Sequence, residues 1–427
     1  MEAEVTAEPT PPAKAGKQRR RPRAAVWTVF ALYLWGLVEL GSWAGLGALH
    51  RYKNIEYVPA QLQTLIAKHR VGIEGHLAQR RSYMVPDAEL GWVVAPRRNK
   101  RGYRSNRDAI RADREYAPTP PPGVLRLAAF GDSFTHASDV ANPQTWEARL
   151  EALDPEIEML NFGVPGYGPD QAFLRYQREG RRFHPHVVLI GFMSENVGRV
   201  VNTFRPFYFP NSGMAFGKPR FELAGDGVRL VPNPLPSPEA YRRVLADPEH
   251  ELPRVGEHDY YYQRRSKRSR LDFLPSVRLA WVLRERFDQP IERDGVYNTK
   301  SEAFEVSLRV VEAFYGQVLA DGSVPVVVVF PQRRDLRARS EGEPPVYAPL
   351  AAAFRQRGLL TLDLMGAFDR YDSQHTLVKK KFIHYPPEGN EWVARYIADW
   401  LRENKLANVA AVQARLTKER SRRGNAR

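Results

Sequence analysis

The 427-residue sequence contains no cysteine. This absence excludes disulfide bonds, thiolate nucleophiles and cysteine-bound metal ions, so the fold must draw its stability from its core alone. Internal repeats are also lacking. Acidic residues are fewer than basic ones: the sequence has 49 aspartates and glutamates and 64 lysines and arginines, which gives a formal charge of +15. The hydrophobic fraction of 43% is normal for a globular core, and the length suits one large domain with additions or two ordinary ones.

The excess positive charge lies at the two ends of the chain. Residues 1–23 hold six basic residues against three acidic ones, and residues 405–427 hold seven against one, so the two tails account for about +9. Basic tails of this kind are more typical of membrane topology determinants or solvated extensions than of elements that read bases. We therefore predict no nucleic-acid partner.

A long apolar run follows the N-terminal basic tail. Residues 24–49 contain one charge, Glu39, and at a helical rise of about 1.5 Å per residue they can cross a bilayer. The run is longer than the apolar region of a signal peptide, and its end lacks a small-x-small cleavage site. We therefore predict a transmembrane anchor, with a cleaved signal peptide and a buried core helix as the alternatives.

The charges around this run predict its orientation. The basic residues before it outnumber Arg51 and Lys53 just after it, so the positive-inside rule assigns residues 1–23 to the cytoplasm. Everything after residue 50 is then expected in the periplasm, with the chain held in the inner membrane by a single pass. Glu39 is costly in hydrocarbon unless it is protonated, near the interface or facing a partner helix, so it marks a candidate contact with a membrane partner.

Two different patterns follow the apolar run. Residues 50–122 are polar, rich in arginine and proline, and predict a juxtamembrane segment and linker. From residue 123 to 404, apolar runs alternate with helical stretches, which is typical of a parallel sheet covered by helices. The predicted strands are 124–130, 157–162, 187–192, 324–330 and 359–364, and the predicted helices are 146–153, 170–182, 301–319, 347–357 and 388–401. Over about 198–300 the alternation fails, which indicates an insertion far longer than a normal loop.

Three predicted strands end in segments that can carry chemistry. The first ends in Gly131-Asp132-Ser133, at a strand-to-helix turn that can present a serine hydroxyl at the carboxyl edge of the sheet. A glycine-rich turn ending at Gly166 follows the second strand and offers backbone amides to an oxyanion. Asn196 follows the third strand and offers a side-chain amide. A nucleophile and two kinds of hydrogen-bond donor are thus expected at one edge.

A serine nucleophile also needs a base, and His384 is the best-placed histidine. It lies just before the last predicted helix, in a loop that opens at the same sheet edge, so it can act as general base for Ser133. His184 and His186 precede a strand and belong to the opposite edge. His136 follows Ser133 by three residues and lies on the next predicted helix, which makes it a poor base.

With these blocks in this order, the chain resembles the SGNH, or GDSL, hydrolase family over residues 124–401, apart from the insertion. The resemblance implies a flavodoxin-like three-layer α/β sandwich with a parallel five-stranded sheet. It also implies acyl-ester chemistry without cofactor or metal, in which Ser133 is the nucleophile and His384 the base. The oxyanion hole implied by the resemblance consists of the amides of Ser133 and Gly166 and the side chain of Asn196.

The chain departs from the family pattern at two places. Matching Asn196 to the family's asparagine requires a shift of one residue, because the block appears here as Ser194-Glu195-Asn196. The aspartate expected three residues before the histidine is Lys381. Asp372 is our candidate for the third triad member, and Asp363 is an alternative. A Ser-His dyad, without a carboxylate, is the other possibility. The identity of this third member matters because loss of the orienting carboxylate can lower the catalytic rate by several orders of magnitude.

The anchor and residues 89–92 resemble, more loosely, anchored family members that handle acyl groups of bacterial envelope polysaccharides. We therefore expect a membrane-anchored, extracytoplasmic esterase acting on O-acyl esters, with acetylated cell-envelope glycan as the expected partner. The alternatives are an O-acetyltransferase of a surface polysaccharide, a catalytically weak glycan-binding scaffold, and an enzyme that processes acyl chains of lipids.

Overall fold

The computed structural model describes residues 23–53, 62–78, 82–100, 102–266, 269–287, 290–379 and 382–424. Its contacts divide the chain into two units. The first comprises Met1–Glu56 and Arg270–Ala280, and the second comprises Tyr57–Ser269 and Trp281–Arg427. Most of the predicted basic N-terminal tail lies outside the described residues, whereas the predicted C-terminal tail contains a helix, Val409–Gly424.

The first unit contains the predicted apolar helix, α1, which spans Arg23–Lys53. Its segment Ala24–Tyr52 is long and apolar enough to cross a membrane or to be a signal sequence. The carboxylate of Glu39 accepts hydrogen bonds from the backbone N–H of Ser276 at 2.9 Å and from its hydroxyl at 2.5 Å. These polar contacts lie within the chain itself, so the expected contact of Glu39 with a separate membrane partner stays a prediction.

The second unit is built on five parallel strands. They are β1 (Leu125–Phe130), β2 (Ile157–Asn161), β3 (Val187–Met193), β4 (Val324–Phe330) and β5 (Thr361–Asp363). The first four are buried along their whole length, which is why most of their residues are apolar. Arg126 of β1 and Glu158 of β2 are buried as an ion pair. The predicted α/β class with a five-stranded parallel sheet is confirmed.

The strands lie in the order β5-β4-β3-β1-β2, so the direction in which successive strands are added to the sheet reverses between β1 and β3. Because crossovers between parallel strands are right-handed, this reversal sends helices to both faces of the sheet. In such sheets the ligand crevice opens at the carboxyl ends of the two strands where the order reverses. The segment that begins with Ser133 follows β1 and the segment that contains Asn196 follows β3, so both lie at this crevice.

Helices surround the sheet and fill the connections. After α1 they are α2 (Leu62–Leu77), α3 (Trp146–Leu153), α4 (Pro169–Arg175), α5 (Asn196–Arg199), α6 (Arg205–Tyr208), α7 (Pro238–Ala246), α8 (Pro248–Val255), α9 (Pro275–Phe287), α10 (Glu302–Ala320), α11 (Arg333–Ser340), α12 (Ala348–Gln356), α13 (Met365–Tyr371), α14 (Thr376–Lys379), α15 (Pro387–Glu403) and α16 (Val409–Gly424). Helix α3 packs on α15 and α4 packs on α10, which forms two helical layers.

The helix predicted over residues 170–182 is shorter in the structure. Helix α4 ends at Arg175 and is followed by a π-helical turn, Tyr176–Gly180, and a 3-10 turn, Arg181–Phe183. A Cβ atom on Gly180 would lie 2.2 Å from the ring of Phe130. Close approach of this turn to β1 therefore replaces regular helix geometry, which the apolar periodicity alone does not reveal.

The predicted insertion over about 198–300 has its own short helices and an antiparallel pair of strands, Arg220–Ala224 and Gly227–Val231. Its first and last parts are joined by Asp259, which is fully buried. This carboxylate accepts hydrogen bonds from the backbone N–H groups of Thr203 at 2.6 Å and Tyr262 at 2.9 Å. These satisfied buried contacts hold separate parts of the insertion together.

Residues 50–122, predicted as a juxtamembrane segment and linker, contribute α2 and two short hairpins to the second unit. The first hairpin pairs Met84–Asp87 with Gly91–Val94 and buries Trp92 completely. The indole of Trp92 donates to the carbonyl of Pro165 at 3.0 Å. This hairpin thereby supports the glycine-rich turn that follows β2.

Candidate active site

Ser133 lies in the turn that follows β1, with 7% of its surface exposed. The backbone N–H of Phe134 donates to the carboxylate of Asp132 at 2.8 Å, and the N–H of Ser138 donates to the carbonyl of Ser133 at 2.9 Å. Gly131 has no room for a side chain, since a Cβ there would lie 2.2 Å from the hydroxyl of Thr135. Each member of the Gly-Asp-Ser motif therefore has a definite place in this turn.

Asp132 links the turn to the end of β3. Its carboxylate accepts from the side-chain amide of Asn196 at 2.8 Å and lies 3.3 Å from the guanidinium of Arg199. Burial raises the pKa of Asp132, and the nearby positive charge of Arg199 opposes that rise. Asp132 is thus a positioning group that holds the two strand ends together.

His384 is brought to the same turn. Its ring packs against the ring of Phe134, the residue next to Ser133, at a centroid distance of 5.3 Å. Its Nδ1 lies 2.7 Å from the carboxylate of Asp139. Because Nδ1 is held by the carboxylate, Nε2 is the ring nitrogen left to exchange a proton with a serine, as in a catalytic triad.

Asp139 supplies the carboxylate that sequence reasoning did not find. It follows Ser133 by six residues, in the same loop, at a φ of +74° that aspartate tolerates better than most residues. The hydrogen bond from His384 lowers the pKa of Asp139, so the carboxylate stays ionised at neutral pH. A short polar residue shortly after Ser133 was the sequence signal, and it does not by itself point to a histidine 245 residues away.

The predicted third member, Asp372, has a different role. Its carboxylate accepts from the backbone N–H groups of Thr376 at 2.7 Å and Leu377 at 3.0 Å, which caps α14. The alternative, Asp363, accepts from the hydroxyl of Tyr347 at 2.9 Å. Neither of these contacts involves His384, and the carboxylate that meets the His384 ring is that of Asp139. Lys381, where the family pattern has its aspartate, lies outside the described residues.

The two predicted oxyanion donors after β2 and β3, Gly166 and Asn196, have different surroundings in the structure. The side-chain amide of Asn196 donates to Asp132 at 2.8 Å and to the carbonyl of Tyr167 at 3.2 Å, so both of its hydrogens are engaged. Gly166 has a φ of +87°, and a Cβ there would lie 2.6 Å from Met214. A glycine is therefore required in this turn, and the side-chain amide of Asn196 connects two of the strand ends.

His136, which the sequence made a poor base, is fully buried. Its Nε2 lies 2.8 Å from the hydroxyl of Tyr83, and its Nδ1 lies 3.0 Å from the hydroxyl of Ser138. Burial, assisted by the positive charge of Arg111, lowers the pKa of His136 well below its ordinary value. This buried, neutral imidazole supports the turn that bears Ser133.

No family model and no curated protein matches this chain. Similar solved structures are a protein described as lipolytic and of the G-D-S-L family from Desulfitobacterium hafniense, a GDSL-like lipase from Bacteroides thetaiotaomicron and a mutant acetyl-xylooligosaccharide esterase from Geobacillus Stearmophilus. Their identities are 12%, 10% and 12%, with TM-scores of 0.32, 0.31 and 0.32. The matches cover 64%, 65% and 66% of this chain and 98%, 88% and 94% of those chains. These likenesses are too distant to transfer a function.

Proposed function

We propose that this chain is a membrane-anchored, extracytoplasmic serine esterase that hydrolyses O-acyl esters, with acetylated cell-envelope carbohydrate as its substrate class. The observation that carries the proposal is the 2.7 Å contact between Nδ1 of His384 and the carboxylate of Asp139, beside the turn that bears Ser133. A histidine oriented in this way at the crevice of a parallel sheet is the arrangement that activates a serine.

In the proposed reaction, the Oγ of Ser133 attacks the ester carbonyl while Nε2 of His384 takes its proton. Asp139 holds the imidazole in the correct tautomer and stabilises the imidazolium that forms. The alcohol leaves with the proton from His384, and the acyl group stays on Ser133. Water then attacks the acyl-enzyme, again with His384 as base, and releases the free acid and the serine.

The negative charge that develops on the carbonyl oxygen needs preorganised donors. Since both amide hydrogens of Asn196 are engaged, we assign this task to the backbone amides of Ser133 and Gly166. Loss of one donor from an oxyanion hole typically costs about 100- to 1000-fold in kcat. We therefore expect a modest turnover number on simple esters.

The proposed location rests on α1 and its flanking charges. An apolar helix preceded by a basic segment favours a single pass with residues 1–23 in the cytoplasm and the second unit in the periplasm. A C-terminal alkaline phosphatase fusion should therefore be active, because that reporter functions only outside the cytoplasm. An inactive fusion of normal abundance, with an active cytoplasmic reporter at the same position, would reverse the orientation.

Turnover of a small ester by the full-length protein in detergent tests the proposed activity. We expect release of the chromophore from p-nitrophenyl acetate and a transient acetyl group on Ser133, detected by mass spectrometry after acid quenching. Acetylated protein that turns over only when a deacetylated glycan is added would indicate a transferase. Absence of both acetylation and turnover, with and without the glycan, would indicate a non-catalytic scaffold.

A further inference from the structure

The loop that carries Asp139 has an unusual backbone, and we call residues 137–142 the aspartate loop. Ala137 and Asp139 both have a positive φ, of 51° and 74°. Residues other than glycine rarely adopt this conformation, and alanine has no polar side chain to support it. Such a backbone persists only where the surrounding structure holds it. The groups that contact the aspartate loop therefore decide where the carboxylate of Asp139 lies.

Arg111 binds the aspartate loop along its length. This side chain is buried, with 5% of the residue exposed. Its guanidinium donates to the backbone carbonyls of His136, Ala137 and Val140, and the bond to Ala137 measures 2.7 Å. Its Nε donates to the side-chain oxygen of Asn142 at 2.9 Å. A planar guanidinium can hold several acceptors in fixed directions at once, so this one side chain fixes the course of the aspartate loop.

Tyr103 contacts Asp139 itself. It belongs to the second hairpin of residues 50–122, in which Tyr103–Arg104 pairs with Asn99–Lys100. The backbone N–H of Asp139 donates to the hydroxyl of Tyr103 at 2.8 Å. The hydrogen bond from His384 lowers the pKa of Asp139, and a hydrogen bond from the hydroxyl of Tyr103 lowers it further. One hydroxyl group thus supports both the backbone and the carboxylate of Asp139.

The ring of Tyr103 is held by its own neighbours. The guanidinium of Arg111 lies 4.6 Å from the centre of this ring. The ring of His136 meets it edge-on at a centroid distance of 5.2 Å, and the ring of Tyr83 lies at 5.7 Å. A side chain packed on several sides keeps its rotamer, so the hydroxyl of Tyr103 is a fixed acceptor for the N–H of Asp139. Tyr103 and Arg111 therefore act on the aspartate loop as one packed unit.

We propose that Tyr103 and Arg111 are positioning residues of the esterase: they keep the aspartate loop in the conformation that brings the carboxylate of Asp139 to Nδ1 of His384. This inference rests on the proposed esterase function. The contact between Asp139 and His384 measures 2.7 Å, and a shift of about 1 Å in a catalytic group is enough to lower a rate severely. The hairpin that was expected to be part of a linker thereby contributes to the active site.

Tyr103→Phe in the full-length protein in detergent tests this proposal, because the change removes the hydroxyl and keeps the ring. We expect kcat for p-nitrophenyl acetate to fall roughly three- to tenfold, the usual effect of one hydrogen bond, with KM near the wild-type value. In an Asp139→Asn background the same change should lower kcat by less than about twofold, because the carboxylate through which Tyr103 acts is already absent. Equal losses in the two backgrounds, or a normal kcat in the single variant, would overturn the proposal.

Tyr116→Phe is the matched control. Tyr116 is also buried, its hydroxyl donates to the carbonyl of Met159 at 3.0 Å, and the guanidinium of Arg114 lies 4.5 Å from its ring centre. This variant should lose some stability and keep the wild-type kcat. Arg111→Lys keeps the positive charge and gives up the fork of donors, so it should lower kcat at least about tenfold in the wild-type background. A loss of kcat in Tyr116→Phe equal to that in Tyr103→Phe would indicate a general loss of stability and overturn the proposal.

Amide hydrogen exchange separates this inference from the proposed function, because it needs no ester turnover. The N–H of Asp139 donates to Tyr103, so its exchange should become at least about threefold faster in Tyr103→Phe and stay unchanged in Tyr116→Phe. Unchanged exchange at Asp139 in Tyr103→Phe would overturn the proposal even if the wild type is an active esterase. Faster exchange in a protein whose wild type hydrolyses no ester would keep Tyr103 as a support of the aspartate loop and remove the esterase.

Discussion

Ser133→Ala is expected to lower kcat for p-nitrophenyl acetate at least about 1000-fold, because removal of the nucleophile leaves only binding and oxyanion stabilisation. The same variant should lose covalent labelling by a fluorophosphonate, which reacts with an activated serine. Ser133 is 7% exposed. The turn that contains it is held by backbone hydrogen bonds, and these do not involve its hydroxyl. Its removal should therefore leave the melting temperature near that of the wild type.

The matched control for this variant is Ser323→Ala. Ser323 is also buried, but it lies at the amino end of β4, and its hydroxyl donates to the carbonyl of Pro185 at 2.6 Å. We expect a loss of stability of about 1 kcal/mol from the broken hydrogen bond and no change in kcat. Turnover by Ser133→Ala at the wild-type rate would remove Ser133 from the mechanism.

Asp139→Asn is expected to lower kcat about 100- to 1000-fold with little change in KM. An amide at this position no longer holds the imidazole of His384 in the tautomer that accepts a proton at Nε2. We expect a smaller loss than the roughly 10,000-fold seen for a fully buried triad aspartate, because the side chain of Asp139 is 57% exposed and water can partly replace it.

Asp372→Asn is the matched control, because it makes the same chemical change at the aspartate that the sequence favoured. Weakening the cap of α14 should cost about 1 kcal/mol of stability and leave kcat near the wild-type value. The opposite outcome, loss of activity in Asp372→Asn with normal activity in Asp139→Asn, would restore Asp372 to the triad. Normal activity in both variants would favour a Ser-His dyad.

Acidification supplies a second readout for Asp139. Its folded-state pKa is lowered by the hydrogen bond from His384, so the stabilisation that it contributes is present above its ordinary pKa. That stabilisation is lost as the pH falls through the lowered value. The difference in melting temperature between wild type and Asp139→Asn should accordingly be full at neutral pH and shrink in acid.

The arrangement of the sheet could be predicted because its signal is local. Strands β1 to β4 are buried on both faces, so most of their residues are apolar, and their predicted bounds agree with the structure to within one residue. Helix α3 has its predicted bounds for a similar reason, since its apolar face repeats within eight residues. The position of Ser133 at the crevice followed from its place at the end of β1.

The insertion could not be predicted in the same way. Its folded structure depends on buried polar contacts between distant residues, such as the contact of Asp259 with the backbone of Thr203. Such contacts leave no periodic pattern in the sequence.

The sequence by itself determined the α/β class, the turn that bears Ser133 and the loop that bears His384, because hydrophobic burial and turn chemistry are written in neighbouring residues. Tertiary structure alone decided the partners of those residues. Asp139 rather than Asp372 meets His384, and the side-chain amide of Asn196 is engaged with Asp132 and the carbonyl of Tyr167. Hydrogen bonds form between groups that are close in space, and a pairing across 245 residues becomes visible only once the chain has folded.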